Sequence, residues 1–86
     1  MTSRDGNEGD PFTTISMPPE VLTILRRRLT AIECSVDTLS VHLASERAQG
    51  VIEAVEVLKV LKPVDIETLY LAVEDAVQVR IKTLML

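Results

Sequence analysis

Aromatic side chains are almost missing from this 86-residue chain: Phe12 and Tyr70 are the only two, and there is no tryptophan. Proteins that grip single-stranded nucleic acid stack bases on aromatic platforms, so that class is disfavoured from the start. Histidine and cysteine are equally scarce, with His42 and Cys34 the sole examples. On a helix they lie more than two turns apart, which leaves no nucleophile–base pair and no set of zinc ligands. The chain is therefore expected not to be an enzyme and to need no metal or cofactor. A lone cysteine cannot close an internal disulfide, which points to a reducing compartment and a cytoplasmic protein. Cys34 is expected to be a small buried hydrophobe and His42 a half-exposed structural residue. The glycines, Gly6, Gly9 and Gly50, are scattered, so no glycine-rich loop exists to cradle a phosphate. No apolar run is long enough to span a membrane, and no basic flank followed by an apolar stretch marks a secretory signal. The C-terminal segment also has too few basic residues for a helix lying on a membrane surface.

What is present is aliphatic. The hydrophobic share of 47% is nearly all Leu, Val, Ile and Ala. A body of about 70 residues has a poor surface-to-volume ratio and can bury only part of that surface alone. A dimer or higher oligomer is the expectation. The net charge is −4, which disfavours a surface made wholly for phosphates. The charge is uneven, however, because residues 11–48 carry four Arg against four acids, and the excess acid lies on either side. Three parts follow: a polar, disordered tail at 1–11, a module at 12–48, and a helical segment at 49–86.

Phe12 to Leu22 is the stretch on which the rest turns. Thr13, Ile15 and Met17 alternate with Thr14 and Ser16, as in a strand. Pro18 holds Met17 out of the helical region, and Pro19 suits a first helical turn. From there Leu22, Leu25, Leu29, Ile32, Val36, Leu39 and Leu43 recur at alternating steps of 3 and 4, a heptad seam if the helix is unbroken. The run Arg26, Arg27, Arg28 cannot share one face, and Arg27 and Arg28 point away from the seam. Glu33 to Thr38 is a weak point: five poor helix formers in succession disfavour helix by about 2–3 kcal/mol relative to Ala, and Ser35 and Asp37 are good N-caps. The spacing favours a break here, with helices at about 19–33 and 37–48. A single long helix is the alternative.

Thr14-Ile15-Ser16-Met17-Pro18-Pro19-Glu20-Val21-Leu22, followed by Ser35-Val36-Asp37-Thr38 at the second helix start, resembles the Arc-type ribbon-helix-helix DNA-binding family over residues 12–48. The resemblance implies that two chains pair their strands into one ribbon inserted in the DNA major groove. It implies that Phe12, Thr14 and Ser16 face DNA while Thr13, Ile15 and Met17 face the core. The amides around Ser35, Val36 and Asp37 would meet a phosphate at a helix N-terminus, with Arg27 and Arg28 nearby. The chain departs from the family in offering no Arg, Lys, Asn or Gln at the base-facing positions. It also has no glycine before the second helix and places Ser40 in a core slot.

Farther on, Gly50 is expected to lie just past a helix end. Val51 to Lys62 reads as a short helix apolar on most sides, with a strand as the alternative because Val55, Val57 and Val60 are β-branched. Pro63 closes that segment, and Asp65 is placed to cap the next. Ile66, Leu69, Tyr70, Val73, Val77, Ile81 and Leu84 then describe one helical face. Residues 77–86 also alternate, so a strand competes there.

The expected fold is mostly α: a short N-terminal β-strand followed by three or four helices, in an obligate dimer or higher oligomer. Ile15, Met17, Leu22, Leu25, Leu29, Ile32, Leu39, Leu43, Ile66, Leu69, Val73, Val77, Ile81 and Leu84 are the expected oligomer or partner interface. Two functions follow. One is a small dimeric DNA-binding transcriptional regulator, a repressor or antitoxin, meeting double-stranded DNA through its N-terminal module and a second protein through residues 49–86. The other is an all-helical adaptor or inhibitor with no role on DNA.

Overall fold

The computed structural model describes residues 12–86. The expected tail at 1–11 lies outside the described residues. Three helices are present among them and no strand: α1 (Pro19–Glu33), α2 (Thr38–Leu58) and α3 (Pro63–Leu84).

The expected N-terminal strand is not formed. Phe12 to Thr14 make a turn, closed by Ile15 N–H donating to the Phe12 carbonyl at 3.2 Å, and residues 15–18 run irregularly into α1. The alternation is real, but a lone strand has no ladder for its backbone groups. The leader instead buries its two largest residues, Phe12 at 3% exposure and Ile15 at 8%, in the same apolar cluster as Ile52, Val55, Ile66 and Leu69.

Backbone chemistry fixes the starts of the helices. Pro18 is extended (φ −57°, ψ 141°) and Pro19 occupies the first helical position, where a missing N–H is harmless. The Pro18 carbonyl accepts the first helical bond, from Leu22 N–H at 3.1 Å. α1 stops at the weak point read from the sequence. Ser35 Oγ turns back to donate to the Ala31 carbonyl at 2.9 Å, satisfying a terminal acceptor. Asp37 then caps α2, its carboxylate accepting from Ser40 N–H at 2.7 Å. The single-long-helix alternative is thereby ruled out.

α2 does not end near Gly50. It continues to Leu58 because Ile52 and Val55 are pulled into the core. Its terminator is Lys59, in the left-handed region (φ 58°, ψ 36°), whose N–H donates to the Glu56 carbonyl at 3.0 Å. A non-glycine residue there costs about 1–2 kcal/mol. Pro63 opens α3 as its first residue, and Asp65 lies in the first turn instead of acting as the cap. The helix then runs through residues 77–84, so the competing strand is not formed.

The short connections at 34–37 and 59–62 make neighbouring helices antiparallel, with α2 central and packed against both others. Arg80 Nε donates to the Ser35 carbonyl at 2.8 Å, tying the last third of α3 to the α1–α2 connection. Ile32, Val41, Ile52 and Leu69 are fully buried, surrounded by Leu25, Ala48, Val55, Ile66 and Val73.

Candidate functional site

α2 carries two apolar stripes. Val41, Ser45, Ala48, Ile52 and Val55, at steps of 4, 3, 4 and 3, face inward and are buried. Leu39, Leu43, Gly50, Ala54 and Val57 share the opposite side and are exposed. Leu39 retains 68% exposure, Leu43 51% and Val57 71%, and Val36 beside them retains 76%. The seam that looked continuous from Leu22 to Leu43 is thus cut in two. Its first half, Leu22, Leu25, Leu29 and Ile32, turns toward the core, and its second half, Val36, Leu39 and Leu43, turns out. Reversal of the chain at residues 34–37 removes any need for the stripe to stay in phase.

Beside the outward stripe lies a groove between α1 and α2, lined by Arg28, Ala31, Ser40, Leu43, Ala44 and Arg47, with a volume of about 210 Å³. Three of these residues are apolar and two are cationic. Arg28 is half-buried, and its Nε is enclosed with no hydrogen-bond partner. A buried donor left unmet costs about 1–3 kcal/mol, and native structures seldom tolerate one without a reason. Neither Arg28 nor Arg47 forms an ion pair among the described residues. Farther along α2, the hydroxyl of Tyr70 on α3 is raised above its ordinary pKa by burial and by the nearby charges of Glu56 and Glu53. The two arginines share the groove, while the Asp37 carboxylate holds the amide of Ser40 in the same lining and Glu46 adjoins Arg47 in the chain.

The expected DNA-facing residues are dispersed. Thr14 and Ser16 are exposed on the leader, whereas Phe12 is in the core. Ser35 is buried, with its hydroxyl and its carbonyl both engaged. Val36 and Asp37 are exposed, but the Asp37 carboxylate already holds the Ser40 amide at the start of α2 and places negative charge where a phosphate would sit. The Ser40 backbone amide, with help from its side chain, holds that carboxyl below the usual range, and slight burial opposes them. Arg27 is exposed, and Arg28 lines the groove.

The expected interface residues divide differently from their reading in sequence. Ile15, Leu25, Ile32, Ile66, Leu69 and Val73 fill the chain's own core. Met17, Leu22, Leu29, Val77, Ile81 and Leu84 are half-buried against it. Only Leu39 and Leu43 stay on the surface. Cys34 is exposed, contrary to the expected burial, because α1 ends just before it. Arg47, Ala31 and Ala44 were not singled out in the sequence. Their signal is the i, i+3 and i, i+4 spacing of Ser40, Leu43, Ala44 and Arg47, which means something only once α1 is known to lie alongside.

Among the described residues no group of His, Cys, Asp and Glu could hold a metal, and no helix is long and apolar enough to cross a membrane. No family model matches the chain, no curated protein matches its sequence, and no solved structure matches it.

Proposed function

We propose that this chain is a helical protein–protein interaction module of the adaptor or inhibitor class, binding a partner protein on the outward side of α2. The observation that carries this reading is the second apolar stripe, with Leu39, Leu43 and Val57 exposed on a helix whose other side is already packed. Leu39 and Leu43 lie one turn apart with Val36 beside them, and an exposed apolar patch of this kind marks an interaction site in small proteins. Covering it returns about 25 cal/mol for each Å² of apolar area removed from water. The competing reading, a ribbon-type DNA-binding regulator, loses its main physical support with the strand. Residues that would have read bases are either in the core or uncharged. A reducing compartment fits the exposed, unpaired thiol of Cys34.

The test compares the wild type with Leu39→Ser/Leu43→Ser as bait in native lysate, with and without nuclease. Any captured protein is then purified and titrated directly against both forms. Binding that survives nuclease and is lost in the double variant, with the helical content unchanged, is the expected result. Capture that depends on nucleic acid and ignores the two leucines overturns the reading.

A further inference from the structure

We propose that the groove between α1 and α2 receives an acidic amphipathic helix of the partner, one aliphatic side chain seated on Ala31, Leu43 and Ala44 and flanking carboxylates on Arg28 and Arg47. This rests on the protein-docking reading above and names the chemistry of the partner.

Three observations converge on it. The groove's volume of about 210 Å³ suits a single aliphatic side chain, and half of its lining, Ala31, Leu43 and Ala44, is apolar. Its two cationic residues have no ion-pair partner among the described residues. The Arg28 Nε is enclosed and unpaired, which leaves the outer guanidinium nitrogens as the donors that a carboxylate lying over the groove can meet. Charge complementarity therefore selects Asp or Glu, at helical spacing around Leu, Ile or Met. Duplex DNA fits less well, because its interfaces are predominantly polar and cationic, whereas half of this lining is apolar. A second copy of the chain also fits less well. In an antiparallel self-pairing of α2 centred on Gly50, Glu46 falls beside Glu53, like against like, and Arg47 meets only Ala54.

The experiment is a display selection of random peptides of about four helical turns on the immobilised full chain. The winning peptides are then titrated against purified variants by fluorescence anisotropy. Winners with acidic residues around an aliphatic one are expected, with affinity falling as salt rises. Arg47→Gln weakens them about tenfold, the loss of one charge-assisted contact, and Arg28→Met does so at least as strongly. Arg47 is exposed, so its variant keeps the test valid should Arg28→Met disturb folding. Winners without acidic residues that still depend on Leu39 and Leu43 overturn the acidic partner while leaving protein docking intact. No enrichment at all overturns both. Displacement of the peptide by duplex DNA, or self-association in sedimentation abolished by Arg47→Gln, assigns the groove to a phosphate backbone or to a second copy and overturns the proposal.

Discussion

Replacing Phe12 with alanine distinguishes a leader that belongs to the core from one that only precedes it. Phe12 retains 3% exposure and shares its cluster with residues of all three helices. Truncating a buried phenyl ring in a rigid core costs about 3–5 kcal/mol, the transfer term plus the cavity left behind. The leader, however, is fastened by side chains and one turn bond, Ile15 N–H to the Phe12 carbonyl, with no ladder to hold it in place. It can relax by lifting away, which caps the loss at the energy with which Phe12 and Ile15 are held together. Two buried side chains at about 1.5–3 kcal/mol each, less the chain entropy regained, put the expected loss near 2–4 kcal/mol. A domain of this size has about 4–11 kcal/mol in all, so the variant loses a large share. Urea unfolding followed by far-ultraviolet circular dichroism measures it, with Thr14→Ala, an exposed neighbour, as the control. A Phe12→Ala loss within about 0.5 kcal/mol, the range of ordinary surface changes, would show that residues 12–18 are not part of the core.

Gly50→Ala is expected to stabilise the chain by about 0.5–1 kcal/mol, because Gly50 lies inside α2 and an added Cβ meets nothing within 4 Å; a lower melting temperature would mean that α2 does not run through it. Asp37→Ala should lower the melting temperature at neutral pH, while Asp37→Ser keeps most of the cap. The folded-state pKa of Asp37 lies below 3.8. The carboxylate's contribution is therefore full above the unfolded value and fades as pH falls through the folded one. Melting curves of wild type and Asp37→Ala should accordingly converge in acid, and a constant difference down to the lowest pH would assign the effect to something other than the carboxylate.

The helical character of the chain, the interruption at 34–37 and the helix start at Pro19 were legible in the sequence, and so was a break near Pro63, although Asp65 was read as the cap that Lys62 provides. Each is written in local backbone chemistry: a proline that fits only a first turn, a Ser–Val–Asp–Thr run that resists helix, a carboxylate within reach of the Ser40 amide. Gly50 misled because its helix preference is a weak local term, overruled once Ile52 and Val55 had somewhere to be buried. Thr13 to Met17 misled for a related reason. Alternation licenses a strand only where another strand supplies hydrogen bonds, and burying Phe12 and Ile15 was the available gain.

What tertiary structure alone decided is which stripe of α2 faces in. By sequence the Leu22–Leu43 seam is the more regular, and it outranks Val41, Ser45, Ala48, Ile52 and Val55 for as long as the helix is taken to run unbroken. The reversal after α1 frees the two helices from a common phase, and α2 must then cover α1 and α3 along most of its length. The inner stripe does so without interruption, whereas the outer one is broken by the charges of Glu46 and Arg47 and by Gly50. Leu39 and Leu43 were left outside as a consequence, and Arg28 and Arg47, distant in the chain, came to flank one groove.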